Sequence, residues 1–198
     1  MTTAHTQAVD RLVAAIETIV TDRDVRVPDE TIVARVATPL AALVATDDWI
    51  DPAFAAPDPD RYRQYLLHRD PENRFSVVSF VWGPGQATPI HDHRVWGLIG
   101  VLRGAEIDQR YARTDDGTLV PVGAPTRLEA GAVATLSPDT GDIHRVFNAH
   151  DDRVSISIHV YGADIGTVER AIYTEAGTAK PFVSGYAAPD AEPAKVAA

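Results

Sequence analysis

The chain has 198 residues, 45% hydrophobic and 23% charged, with a formal net charge of −10. That length can bury a substantial core, and the acidic balance argues against nucleic acid as a partner. The absence of cysteine excludes disulfides and thiolate metal sites, and no apolar run approaches the length of a membrane span. The N-terminal MTTAHTQAVDRLV lacks a basic start and an apolar signal core, so a cytoplasmic location with no membrane partner is expected. The oligomeric state is not legible in the sequence.

In chain order, residues 5–21 predict an amphipathic helix, with Val9, Leu12, Val13, Ile16 and Val20 at helical spacing. A second helix is predicted from near Asp29, an N-cap candidate after Pro28, with Ile32, Val33 and Val36 on its apolar face. Pro39 is expected to end or kink it before Leu40–Val44. Residues 47–60 are loop-like, and Arg61–His68 predicts a further short helix. These helices are expected to cover one end of a barrel.

From Arg74 the pattern changes to strands: Phe75–Trp82, Gly97–Leu102, Ala105–Tyr111, Ala132–Leu136, Ile143–Phe147 and Arg153–Tyr161. They are rich in β-branched and aromatic residues and punctuated by glycine and proline, which suggests an antiparallel sandwich or barrel. Lys180–Tyr186 has enough apolar content to pack back on it, and the Ala/Pro-rich stretch beyond reads as a mobile tail. The expected organisation is one domain over residues 1–198, with a helical cover at 1–68, a β-barrel at 74–186 and a tail at 187–198.

Between the first two of these strands, GQATPIHDHRVWGLIGVLRG carries His91 and His93. In a strand, residues i and i+2 share a face, so both imidazoles could enter one cavity and bind one metal ion. Taken alone, the pair is equally compatible with a solvated loop. A second stretch, GAVATLSPDTGDIHRVFN, brings in His144 after a turn at Ser137–Gly141. Together they resemble the paired motifs of the cupin superfamily. Gly85, His91, His93 and Gly104 stand at the spacing of the first motif, with Gly97 in its glutamate position. Gly141, His144 and Asn148 fit the second, and Pro138 sits one residue upstream of its usual place. Three neutral imidazoles without the carboxylate would leave a divalent metal its full charge and open positions. Imidazole ligands suit iron, zinc, copper or nickel.

The strand SISIHVY places Ser157, His159 and Tyr161 on one face. Alternation alone favours a polar outer face on an edge strand. The resemblance reverses that preference, because FSVVSFVWGPGQ, HDHRVWGLIGVLRG, HRVFN and SISIHVYG are similar to bacterial thiol dioxygenases of the cysteine dioxygenase family. The similarity runs from about Tyr62 to Tyr186. It implies a mainly β fold, a cupin-type, jelly-roll-like antiparallel barrel with N-terminal helices. It also implies an Fe(II) site on His91, His93 and His144, and an outer triad of Ser157, His159 and Tyr161. With O2 such a site turns a thiol into a sulfinic acid. Mammalian-type members join a cysteine to the active-site tyrosine. That position lies near Gly97 here, so Tyr161 is unmodified.

The resemblance also bears on substrate. Cysteine dioxygenases carry a Tyr-x-Arg carboxylate clamp, and the matching segment here is Tyr62-Arg63-Gln64. Glutamine in the arginine position resembles the 3-mercaptopropionate branch, whose clamp arginine follows the triad tyrosine by nine residues, where Arg170 stands. A shift of one residue would instead put Arg63 in the pocket. Taken alone, Gln64 and Arg170 fit solvated surface roles. The resulting expectation is an Fe(II) dioxygenase of 3-mercaptopropionate, with a small thiol carboxylate and O2 as partners. L-cysteine is the alternative substrate. A cupin isomerase or hydrolase with another divalent metal, or a small-acid sensor, are the alternatives of other classes. His5, His68 and His150 have no partner at ligand spacing, and Trp82 and Trp96 read as core or cavity wall. Asp92 is expected to point away from the metal.

Overall fold

The computed structural model describes residues 1–20 and 28–189. Two helices lead, α1 (Thr3–Val20) and α2 (Asp29–Val44). Eleven strands follow: β1 (Arg63–Arg69), β2 (Ser76–Trp82), β3 (Ile90–His91), β4 (Gly97–Arg103), β5 (Ala105–Arg113), β6 (Leu119–Glu129), β7 (Val133–Leu136), β8 (His144–Asn148), β9 (Ser155–Tyr161), β10 (Arg170–Tyr173) and β11 (Ala179–Phe182). They form two antiparallel sheets, in the orders β1-β2-β9-β4-β7 and β11-β10-β3-β8-β5-β6. The expected mainly β, antiparallel architecture is therefore present, but among the described residues no strand pairing closes the two sheets into a continuous barrel. Among the described residues, no helix is long and apolar enough to cross a membrane.

Two apolar layers explain the arrangement. The first joins Leu12 and Ile16 of α1 and Val36, Leu40 and Val44 of α2 to Val77, Val81, Leu98, Leu102, Ile156, Ile158 and Val160 of the five-stranded sheet. The second lies on the sheet's other face and contains Val78, Phe80, Trp82, Ile99 and Tyr161, with Val146 from β8. The helices thus cover a face of the five-stranded sheet, not the end of a barrel. Strand β9 lies at its centre, buried on both faces along its whole length. This is why apolar and polar residues alternate on a strand that is not at an edge: one side meets the helices and the other meets the second sheet.

Several expectations are corrected. Arg61–His68 is not helical; Arg63–Arg69 pairs with β2 as the edge of the five-stranded sheet, so the helical cover ends earlier than residue 68. Its short run has no decisive period, and pairing with β2 outweighs local propensity. Helix α2 runs through Pro39 to Val44. The buried Val36, Leu40, Leu43 and Val44 hold the turns on either side of the missing N–H. Asp29 is its first residue, Pro28 taking the cap position, and the Asp29 carboxylate accepts from Ser137 Oγ at 3.2 Å. His5 is buried, stacks on Phe54 and accepts from the Asp51 N–H. His68, expected to end the helix from Arg61, lies on β1. Strands β6, β10 and β11 have no counterpart in the sequence reading. At the start of the expected tail, Ala187 donates its N–H to Gln64 O at 2.8 Å. The expected helix end at 21 and the tail from 190 lie outside the described residues.

Candidate metal centre and adjoining pocket

Three imidazoles converge between the sheets. His91 on β3 stands directly opposite His144 on β8 in the antiparallel register, and His93 follows β3. Their ring centroids are 4.7 to 4.8 Å apart, and one ring nitrogen from each falls within 4.8 Å of the others. All three are buried.

The second nitrogen of each ring is already engaged. His91 Nδ1 meets Pro89 O at 3.0 Å, His93 Nδ1 meets Asp142 O at 3.0 Å, and His144 Nδ1 meets Asp108 Oδ1 at 2.8 Å. Carbonyl and carboxylate oxygens only accept, so each Nδ1 carries the hydrogen and each Nε2 keeps its lone pair. His93 Nε2 and His144 Nε2 are buried with no hydrogen-bond partner. Burial, and then the neighbouring imidazoles, hold His91 and His93 well below the ordinary histidine range, so both stay neutral. Uncharged imidazoles with fixed tautomers and unpartnered lone pairs fit a divalent transition metal.

The supports of these rings escaped the sequence reading. Asp108 is buried, which works against its charge, yet the bonds from His144 and Arg110 outweigh that and hold its carboxyl below the usual range. Asp142 accepts the backbone N–H groups of His93 and Arg94, both at 2.9 Å. Arg94 takes positive φ, a conformation few side chains adopt, and this turns the chain after His93. Asp92 points away from the centre, accepting from Ala171 N at 2.8 Å and Tyr173 Oη at 2.6 Å. It thereby ties β10 to the motif. Asn148 donates to the carbonyls of Trp82, Gly83 and Arg153, which makes it a tether between strand ends.

Ser157, His159 and Tyr161 form one hydrogen-bonded row on β9. Ser157 Oγ and His159 Nε2 are 2.8 Å apart, as are His159 Nδ1 and Tyr161 Oη, and Trp82 Nε1 donates to Ser157 Oγ at 3.2 Å. The His159 ring stacks on Phe80 at 4.0 Å, and the Tyr161 ring stacks on His93 at 5.5 Å. Burial keeps His159 well below its ordinary range and pushes the Tyr161 phenol up. Gly97 stands opposite Tyr161 in the register, and a Cβ there would come within 2.9 Å of the tyrosine ring. Any side chain at 97 would displace the ring, so the glycine is what seats the phenol beside His93.

A cavity of ≈ 190 Å³ adjoins the centre, lined by Tyr62, Gln64, Phe80, His91, Arg170 and Phe182 among others, none of them acidic. Arg170 is 3% exposed. Its guanidinium lies 4.7 Å from the Phe182 ring and donates from Nη2 to Ser184 Oγ at 2.8 Å, while Nε has no partner. Gln64 Oε1 is likewise buried and unpartnered. Arg63 is turned away and pairs with Asp58 at 2.6 Å. Phe182 and Ser184, which fix the Arg170 fork, belong to the segment expected only to pack back on the barrel.

The model of the family described as cysteine dioxygenase type I matches residues 2–172 of this chain. Solved structures similar to the chain include an uncharacterized conserved protein with a double-stranded β-helix domain from Klebsiella pneumoniae, 21% identical over 57% of this chain and 85% of that one, with a TM-score of 0.42. A Thermus thermophilus protein is 18% identical over 57% of this chain and 92% of that one, at 0.44. A cupin superfamily protein from Desulfitobacterium hafniense is 13% identical over 64% and 89%, at 0.43.

Proposed function

The chain belongs to the cysteine dioxygenase type I family, and we propose that it is an iron(II) thiol dioxygenase whose preferred substrate is 3-mercaptopropionate, converted to 3-sulfinopropionate. The observation that carries the substrate is Arg170. It is a buried cation with an unpartnered Nε, lining the same small cavity as His91.

A short thiol acid has a sulfur and a carboxylate to be recognised. His91, His93 and His144 would hold the iron, which when bound supplies the redox chemistry joining both atoms of O2 to the sulfur. Arg170 pairs with the carboxylate; its fork is held from one side by Phe182 and Ser184, so the remaining donors face a bidentate partner. Gln64 adds one neutral hydrogen bond. Tyr62 and Phe80 exclude water from the acid's apolar carbons. Tyr161, its hydroxyl bonded to His159 and its ring stacked on His93, is the group that can hold or exchange a proton with the bound reactants. L-cysteine would add an ammonium group, and no acidic side chain lines the cavity to receive it. Its desolvation would go uncompensated.

The test is oxygen uptake by the iron-loaded protein with 3-mercaptopropionate, L-cysteine and cysteamine. The highest kcat/KM is expected for 3-mercaptopropionate, with oxygen consumed in step with thiol loss. Higher kcat/KM for L-cysteine would overturn the substrate, and thiol-independent or absent uptake would overturn the reaction.

A further inference from the structure

The three imidazoles are not held alike. His91 Nδ1 and His93 Nδ1 donate to backbone carbonyls, Pro89 O and Asp142 O, whereas His144 Nδ1 donates to a carboxylate, Asp108 Oδ1, at 2.8 Å. Strand β5 makes this pair. In its antiparallel register with β8, Arg110 stands directly opposite His144, so Asp108, two residues earlier, lies diagonally across on the same face. Asp108 is 5% exposed. Its other oxygen accepts from Arg110 Nε at 2.8 Å. The same guanidinium donates to Thr135 O on β7 at 2.7 Å and to Gly141 O at 3.3 Å. Arg110 is thereby tied to both sheets, which fixes the orientation of the carboxylate it holds.

Among the described residues, no carboxylate joins the three ring nitrogens. Asp92 is engaged by Ala171 N and Tyr173 Oη, the Asp142 carboxylate by the backbone N–H groups of His93 and Arg94, and neither oxygen of Glu106 is bonded to a ring. Position 97 has no room for an acid, since a Cβ there would meet the Tyr161 ring at 2.9 Å and Leu136 at 3.0 Å. The one negative charge bonded to a ring is therefore Asp108, on the far side of His144 from the shared centre. A hydrogen bond to an ionised acceptor is roughly twice as strong as one between neutral groups. A carboxylate behind a ligating imidazole also raises the basicity of that ligand.

We propose that Asp108 is a positioning residue that passes negative charge to the metal through the His144 ring, making His144 the strongest electron donor of the three, and that Arg110 limits how much charge is passed. The coupling is the hydrogen between Nδ1 and Oδ1. The further it is drawn towards the carboxylate, the more anionic the ring becomes and the more its Nε2 donates. Arg110 pulls on the opposite oxygen and weakens that draw. Added negative charge favours Fe(III) over Fe(II), so two residues that do not touch the metal set its redox potential. The proposal rests on His91, His93 and His144 as the metal ligands, and not on the thiol reaction or its substrate.

Two measurements on the full-length chain test this, both without thiol. Zinc affinity of the metal-free chain is read by competition with a coloured chelator, and the Fe(III)/Fe(II) potential of the iron-loaded chain by spectroscopic redox titration. In Asp108→Asn the amide oxygen can still accept from His144 Nδ1, so the ring stays seated while the charge is gone. Zinc affinity should fall about 10- to 100-fold. The potential should rise, by about 59 mV for each tenfold by which Fe(III) loses stability relative to Fe(II). Arg110→Gln leaves the carboxylate charged and removes the competing cation, so its potential should fall. A merely structural support would weaken metal binding in both variants and move both potentials the same way. The opposite signs therefore carry the inference, and Arg110→Gln tests it even where Asp108→Asn does not fold. In the zinc-loaded parent, the Nδ1 proton of His144 should resonate furthest downfield of the three. Potentials that shift in one direction in both variants would overturn the proposal. So would an Asp108→Asn zinc affinity or potential equal to the parent's, or three Nδ1 protons at one shift. A parent that binds neither metal would overturn it together with the ligand assignment. Absent oxygen uptake in a chain that passes these tests would count against the proposed reaction alone.

Discussion

The two sheets contribute opposite kinds of chemistry to the space between them. The six-stranded sheet presents groups whose bonding is unfinished: Nε2 of His144, Nε of Arg170 and both oxygens of Glu106, with Nε2 of His93 just beyond β3. The five-stranded sheet presents a row that bonds to itself, Ser157 to His159 to Tyr161, with Gln64 at its edge as the exception. Unfinished groups need an outside partner, whereas a closed row needs only a direction. On this comparison, breaking the first sheet's groups should abolish binding, and breaking the second's should alter rate or coupling while leaving binding in place.

The largest effect should come from the imidazoles. His144→Ala removes one of three ligands and leaves Asp108 without its partner. The variant should lose most of its iron, measured by metal analysis against about one iron per chain in the parent, and all of its oxygen uptake. Far-ultraviolet circular dichroism should be preserved, because the two apolar layers do not depend on the metal. Full iron and full uptake in this variant would refute the ligand assignment.

Arg170 comes next. Losing a charge-assisted hydrogen bond costs roughly 1.5–3 kcal/mol, or about 10- to 150-fold in kcat/KM at roughly 1.4 kcal/mol per decade. Arg170→Ala should lose that much with 3-mercaptopropionate and far less with cysteamine, which has no carboxylate. Equal losses for the two thiols would mean that Arg170 supports the fold and not the substrate. In the opposite sheet, Tyr161→Phe keeps the ring against His93 and Gly97 and removes only the hydroxyl. Iron content should be unchanged, while turnover slows or oxygen use uncouples from product by roughly 10- to 100-fold, the usual scale for groups that support a metal site. A variant equal to the parent in both rate and coupling would make the row a structural feature only.

The same comparison explains what the sequence could and could not reveal. The histidines and the β9 row are visible because their spacing is local: two residues apart in an extended chain is one face, whatever the rest of the fold does. Which face looks inward was not visible in SISIHVY, because β9 is covered on both sides and alternation carries that message only for strands covered on one. The edges were harder still. Strand β1 has a short run of ambiguous period, and β6 is mostly exposed, with Pro121 and Pro125 within it, tolerated where only one side is paired. Arg170 was reachable only through the family resemblance, since what buries it is remote in sequence: the β3 pairing, the Asp92 tether and Phe182. Glu106 and Asp108 went unread because an acid in a strand is exposed by default. The signal was present in AEIDQRY, where the two alternate with Ile107, but it gains meaning only once β8 and β9 lie across from it.

These two carboxyls give the finest test, because one strand holds them in opposite states. Asp108 is held below its ordinary range, so its contribution to stability is present above the unfolded value and is lost as pH falls through the folded one. Glu106 is raised from 4.5 to about 8, so the native state binds a proton that the unfolded chain has released throughout that window. Its contribution is full below the unfolded value and declines as pH rises towards the folded one, by at most about 1.4 kcal/mol per pH unit. Glu106→Gln removes this dependence and leaves every other titrating group in place, so the difference in unfolding free energy between variant and parent isolates it. Measured by urea denaturation at about pH 5, 6, 7 and 8, that difference should move steadily in favour of the glutamine variant. A difference that stays flat would show that Glu106 is ionised in the folded protein at neutral pH, and the six-stranded sheet would then hold one fewer unfinished group than the comparison assigns it.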